Sequence, residues 1–433
     1  MASTSAKNLV PVLFLACVTL SFGSAAVAEE WPHFRGPNRN GVIEEPSGFV
    51  DGKWPLQEAW TAEVGEGSSS PIVVDGRLYT MGWRDGEDRV VCLDATTGKT
   101  LWSKAYASPR YGRNALGDQG LYSGPQSTPE YDAETGSLFT LGVDGDLHAW
   151  KAADGELLWR VDLHDAFDVQ QRPQVGRSGH RDYGFVGSPL ALGNAIVVEV
   201  GAKQGTLIAF DKRTGKQSWA SAANSPAGHT GGPVPMTVEG MPCVALHDFD
   251  GLLVVRTDGD RAGETVATYP WVTAFANNVA SPAIYEDTVI LTSAYDQQRI
   301  ARLRVRLGGV ETIWERDEAS KICTPVVRDG YVYWAWQRMY CLDLKTGETV
   351  WQGGAFGDAG SCIATADDRL IVWSKRGDLA LVDAATRSPK EYREVASLKR
   401  LGREDAWPHV AMSDGRIFCK DRTGKIVCLT LPR

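Results

Sequence analysis

Apolar positions along this chain come in short runs of four to six residues, and nearly every run is bounded by a turn signal. Residues 71–82, PIVVDGRLYTMG, show the unit: an apolar run, Asp75-Gly76, then a run rich in β-branched and aromatic side chains. That pattern predicts a β-hairpin. VVRDGYVYWAW (326–336) and AMSDGRIFCK (411–420) repeat it. Pro opens the first run of several units, where a strand's first residue need not donate to the ladder. No stretch shows the period of an amphipathic helix.

A second pattern follows the hairpins. DATTGKTLW (94–102), KAADGELLW (151–159), DKRTGKQSW (211–219) and DLKTGETVW (343–351) share one spacing, with Gly four residues after the first position and Trp four after that. The Gly supplies the positive φ that the turn needs, and the next strand carries the Trp inward. Together the patterns divide the chain into eight segments of about 40 to 60 residues. The first three end at Trp102, Trp159 and Trp219. The next three end near Trp271, at Trp314 and at Trp351. The seventh ends near Tyr392 with a degraded turn, and the eighth ends at Leu431. Repeats of this length with four short strands each predict an all-β fold, an eight-bladed β-propeller.

The eighth segment stops after three strands and lacks a terminal Trp, while PLQEAW (55–60) holds a Trp without the first half of a repeat. A ring whose last blade is closed by an N-terminal strand explains both, and closure removes exposed sheet edges. An open β-solenoid would show capping repeats instead.

The tandem AxDxxTGxxxW-like motif, over residues 55–431, resembles the pyrroloquinoline-quinone (PQQ) repeat family. That family includes quinoprotein alcohol dehydrogenases and the outer-membrane assembly scaffold BamB. WPHFRGP (31–37) and YPWVTAFANNVASP (269–282) look like exported bacterial members of planctomycete type. The resemblance implies four-stranded PQQ-like blades in which Trp60, Trp102, Trp159, Trp219, Trp314 and Trp351 stack between neighbours. Lys151 replaces the usual Asp, and the fourth, fifth and seventh repeats depart from the motif.

Composition adds a targeting signal. Residues 1–28 carry one charge, Lys7, an apolar run from Leu9 to Phe22 and Ala26-Val27-Ala28. This reads as a signal peptide, which predicts export to the periplasm or cell envelope. Cys17 is a candidate lipoprotein acceptor. Residues 29–54 read as an extended arm, residues 55–431 as the propeller, and no membrane span is expected after cleavage. Loss of Lys7 takes the formal charge from −9 to −10, and an acidic chain lacks the basic footprint that nucleic acid requires. Seven cysteines remain besides Cys17, an odd number without any Cys-Cys or CxxC, so they read as small core residues.

Candidate chemistry sits in loops and at the starts of first strands, which line a propeller's channel. Two long loops, 103–124 and 162–187, carry Arg110, Tyr111, Arg113 and Tyr122, and Arg172, Arg177, His180, Arg181 and Tyr183. Basic and aromatic groups together suit a carboxylate or a sugar-like ligand. His229, Asn277, Asn278 and His409 precede first strands and are candidate channel residues. For the dehydrogenases, the resemblance implies PQQ on the axis, Ca²⁺ held by Glu, Asn and Asp, an Asp base and a vicinal disulfide. No Cys-Cys pair is present, and Asp182, Asp248, Asp250 and Asp405 lie in no matching motif. No catalytic residue or metal ligand is therefore assigned, and no cofactor is expected. The reading is a monomeric, BamB-like scaffold that binds envelope proteins. A PQQ- and Ca²⁺-dependent alcohol or sugar dehydrogenase is the first alternative, and a propeller that binds a saccharide or small molecule is the second.

Overall fold

The computed structural model describes residues 1–2, 29–108, 123–169, 182–273, 277–358 and 360–431. It is an eight-bladed β-propeller. Blade 1 runs outward through Ile72–Val74, Arg77–Arg84, Glu87–Asp94 and Thr100–Ala107, all antiparallel. In blade 6 one run, Tyr331–Asp343, bends at Gln337 (φ 57°) and stands in for both middle strands, with Trp334 and Tyr340 stacked 4.9 Å apart. In blade 8, Gln57–Glu63 pairs with Lys425–Thr430 and places Trp60 opposite Cys428. The last blade is therefore completed by the first strand. The described helices are two short turns, one of which, Leu163–Phe167, is capped by the Asp162 carboxylate. No described helix is long and apolar enough to cross a membrane.

The repeat motif is the joint between blades. Asp94 accepts hydrogen bonds from the Thr96 and Thr97 amides and the Thr97 hydroxyl, and Gly98 follows at φ 72°. Asp211-Thr214-Gly215 and Asp343-Thr346-Gly347 form the same turn. The Trp that closes one blade lies under the turn Gly of the next. A Cβ on Gly98, Gly155, Gly215 or Gly347 would meet Trp60, Trp102, Trp159 or Trp314 at 2.6–2.7 Å. The four indole N–H groups donate to the carbonyls of Ala95, Ala152, Lys212 and Leu344, each in the neighbouring turn. Only Gly permits the approach, because its neighbour is a ring face.

Trp351 meets Tyr392 of blade 7's longer connection at 6.0 Å. Trp219 is half-buried against the cluster shared by blades 3 and 4. Strand register puts Ala267 and Ala396 at the docking position in blades 4 and 7, opposite Val254 and Leu381. Trp271 and Tyr392 are thus not the terminal aromatics that the segment boundaries suggested. Trp271 lies beyond its strand, fully buried, donating to Ser293 Oγ beneath the Arg299 guanidinium. The physical reason lies in the next blade. Blade 5 turns at Leu307-Gly308 without the Asp-Thr-Gly motif, and blade 8 has its outer strand at the other end of the chain, so neither offers a turn for a Trp to fill. All seven described cysteines are buried free thiols.

The segment before the ring has no strand of its own, yet it is packed into the axis. Trp31 bridges Val73 of blade 1, and Val42 bridges Ala364 of blade 7. Arg35 is buried and donates to the carbonyls of Arg39, Asn40 and Pro325. Arg39 and His33 both bind the buried Glu130 of blade 2. Burial pushes the Glu130 carboxyl up, but the charges of Arg39 and His33 outweigh this and hold it below its usual range. Residues 31–43 therefore plug one end of the channel.

Candidate functional site

Antiparallel blades put the connections between blades, and the turns between middle strands, on one face. Hairpin turns such as Asp75-Gly76 and the Asp-Thr-Gly turns lie on the other, beside the plug. With the far end closed, the channel becomes a cup of about 210 Å³ opening on the connection face, with Phe34 of the plug in its lining. An enclosed space of about 150 Å³ holds benzene, so the cup suits a ring or one large side chain.

The wall is built from the segments leading into the inner strands. Hydroxyls in the recurring Ser/Thr-Pro dipeptides tie these segments into a circle. Ser70 Oγ accepts from His409 N (2.8 Å), Thr128 Oγ1 from Ser70 N (3.1 Å), Ser188 Oγ from Thr128 N (3.0 Å) and Thr324 Oγ1 from Ser281 N (2.9 Å). Buried polar side chains on second strands hold the segments from behind. Glu199 accepts from the Gly228 amide and the Thr230 hydroxyl, Thr292 accepts from the Ser320 amide, and the Lys420 ammonium donates to the carbonyls of Gly67, Ser69 and Met81.

His229-Thr230 and Asn277-Asn278 form a two-residue parallel ribbon in the wall. His229 Nε2 accepts from the Asp182 amide (3.0 Å), so its proton sits on Nδ1, which donates to Asn277 Oδ1 (2.7 Å). Tyr183 packs edge-on against the same imidazole at 4.7 Å. His409 lies 4.7 Å from Phe34, and burial, with the Arg35 charge behind it, pushes its ring down to about 3. Tyr183, His229, Asn277 and His409 all line the cup. Asn278 does not. It lies behind the wall, donating to the Asp248 carbonyl and accepting from Thr273.

Arg110, Tyr111, Arg113, Tyr122, Arg172, Arg177, His180, Arg181 and Cys17 lie outside the described residues. Gln126 and Thr128, just after the first long loop, and Tyr183 and Val186 at the end of the second contribute to the cup wall. The four candidate acids do not converge there. The Asp182 carboxylate is buried and absent from the lining. Asp248, raised to about 6 by burial, shares a separate groove in blade 4 with Asp250. Asp405 faces Arg422.

Sequence reasoning missed Phe34, Tyr295, Lys321 and Trp407, which also line the cup. The recurring Ser/Thr-Pro dipeptides were a further signal for the wall, legible in the sequence but not used. Lys321 is the only charged side chain in the described lining. It pairs with Asp358 at 2.6 Å and lies 5.6 Å from the Tyr295 ring. The described lining contains no carboxylate, and Asn277 Oδ1 is already engaged. Calcium needs six to eight oxygen ligands, several of them carboxylate. The described residues thus do not supply the donor set for a Ca²⁺-bound quinone.

The family described as outer membrane protein assembly factor BamB matches residues 57–136 and 114–353. The BamB of Shewanella oneidensis is 23% identical over 389 residues, covering 86% of this chain and 89% of that protein. The dehydrogenase subunit of a quinone alcohol dehydrogenase from Gluconobacter oxydans is 30% identical over 174 residues, 39% of this chain and only 21% of that subunit. Among solved structures, Moraxella catarrhalis BamB superposes with a TM-score of 0.60 at 13% identity, over 87% of this chain and 99% of its own. A europium-containing methanol dehydrogenase gives 0.63 at 12% identity, over 90% and 89%. At such identities these structures attest the fold alone.

Proposed function

The chain belongs to the family described as outer membrane protein assembly factor BamB, and on that premise we propose that it is an exported, non-catalytic scaffold that binds proteins of the cell envelope. The working surface in this reading is the connection face, where the cup and the ends of both long loops meet. The observation that carries it is coverage. Sequence likeness to a BamB runs through most of both chains, whereas sequence likeness to the quinone dehydrogenase stops at about a fifth of that subunit. The donor set of the described lining, hydroxyls, amides and one Lys, supports the same reading.

A photo-crosslinking residue at Gln126, on the cup rim, tests it against one at Thr97 on the opposite face. Adducts with envelope proteins are expected from the rim position, and equal adducts from both positions would count against the proposal. Incubation with PQQ and Ca²⁺ provides the second arm. A quinone spectrum with a raised melting temperature, and dye reduction with alcohols, would replace the scaffold by a dehydrogenase.

One observation favours a small ligand in the cup. Ser68 Oγ is buried without a hydrogen-bond partner among the described residues, and Ser70, Thr128 and Ser188 accept backbone amides, which leaves their own protons to donate. Such a wall suits a ligand rich in acceptor oxygens, a saccharide or a carboxylate. A melting-temperature rise with such a ligand, abolished by Ser68→Ala, would support that reading.

A further inference from the structure

The degraded turn of blade 7 has a use that the ring does not explain. In blades 1, 3 and 6 the Asp that ends the third strand caps its own turn through the following Thr. In blade 7 that residue is Asp383, buried, and three guanidiniums surround it instead: Arg369 at 3.3 Å, Arg387 at 3.4 Å and Arg393 at 3.7 Å. Residues 386–403 hold six Lys or Arg and two Glu, in a chain of formal charge −9. Arg387, Lys390, Arg393, Lys399, Arg400 and Arg403 are all exposed. Lys399 pairs with Asp378 at 3.5 Å and Arg403 with Glu63 at 2.8 Å, whereas Lys390 and Arg400, one at each end, make no ion pair among the described residues. In blade 5 the half-buried Arg299 and Arg304 and the exposed Arg306 each face a carboxylate, Glu315, Glu311 and Asp287.

The positive charge also has a shape. Arg387, Lys390 and Arg393 precede the outer strand Glu394–Leu398, and Lys399, Arg400 and Arg403 follow it. Among the described residues the strand pairs inward only, so its outer edge presents unpaired amides and carbonyls. Five residues of strand span about 17 Å. An uncharged stretch of edge, Val395–Leu398, thus runs between two cationic ends. Like charges oppose pairing with a second copy of this strand. The same charges favour a chain of opposite sign.

We infer that the outer edge of blade 7 takes an acidic, extended segment of a partner protein, which adds as a fifth strand with its carboxylates against the two cationic ends. Main-chain hydrogen bonds give such strand addition its affinity, and charge complementarity selects the partner. This rests on the protein-binding reading above but uses a different surface.

The test is fluorescence anisotropy of the full mature protein with a labelled, capped alternating Glu-Val peptide. Its Lys-Val counterpart and a backbone N-methylated Glu-Val version are the controls. Binding of the Glu-Val peptide is expected, weakening with salt as screening requires. The Lys390→Glu/Arg400→Glu variant should lose about tenfold in affinity, while Lys99→Glu/Lys345→Glu, on other blades, should bind unchanged. Circular dichroism melts check that each variant folds. N-methylation keeps the charge and removes the pairing amides, so it should abolish binding. Absence of Glu-Val binding would overturn the inference. So would equal binding of the N-methylated peptide, or binding of phosphatidylglycerol-containing vesicles in place of the peptide. Gln126 adducts report on the connection face alone, so either proposal can fail while the other stands.

Discussion

Replacing Trp102 by Ala tests the blade joint most directly. Trp102 is buried, its indole N–H donates to Ala152 O at 3.0 Å, and Gly155 of blade 2 rests on its ring. Removing a buried aromatic side chain costs about 3–5 kcal/mol. The hydrogen bond adds little, because Ala152 O still accepts from Tyr79 OH at 3.2 Å and is not orphaned. The informative measurement is a double-mutant cycle with Gly155→Ala. In the wild type that Cβ meets a left-handed backbone (φ 72°) and the Trp102 ring at 2.7 Å. The backbone term is about 1–2 kcal/mol and the overpacking about 1–3 kcal/mol. In the Trp102→Ala background the ring is gone and only the backbone term and the mobile end of Lys104 remain. Urea midpoints for the four proteins should show the double variant more stable than additivity predicts by about 1–3 kcal/mol. Additivity within about 0.5 kcal/mol, or a smaller loss for Trp102→Ala than for the half-buried Trp219→Ala, would refute the joint as described.

Three further predictions address the axis and the seam. Arg39→Ala strips the buried Glu130 of its fully charged partner, so a loss of about 3–5 kcal/mol is expected, with faster proteolysis within residues 29–54. Lys420→Met removes three hydrogen bonds between blade 8 and the start of blade 1, and should lower the melting temperature more than Lys425→Met. His409 is held neutral in the fold, its pKa lowered to about 3 by burial, against about 6.5 unfolded. Its folded value lies below the unfolded one, so the unfolded chain binds the extra proton, and stability falls as pH drops from about 6.5 toward 3. Relative to His409→Gln, the wild type should therefore lose about 2 kcal/mol between pH 7 and pH 5, read from urea midpoints at the two values.

Much of the fold was legible because its information is local. Asp-Thr-Gly turns and Asp-Gly hairpins are written within about ten residues, and the unmatched Trp60 disclosed how the ring closes. The site was less legible. His229, Asn277 and His409 were singled out because they precede first strands, and Tyr183 because it lies in a long loop, and the structure brings all four to one cup. Asn278, one residue on, points behind the wall, since neighbours in an extended ribbon face opposite ways. Phe34 carries no local signal of its role, because its neighbours come from blades hundreds of residues away.

The sequence by itself determined the element type, the number of repeats and which strand completes the last blade, because strand period and turn chemistry act over a few residues. The tertiary structure alone decided three things. It showed why blades 4 and 7 carry Ala where the others carry Trp, since the answer lies in the turn of the following blade. It turned the N-terminal segment from an arm into a plug, since burying Trp31, Arg35 and Ile43 requires the finished ring around them. It also left the outer edge of Glu394–Leu398 unpaired among the described residues, between the cations that flank it in sequence, since alternation along a chain fixes which way a side chain points but not what lies beside the strand.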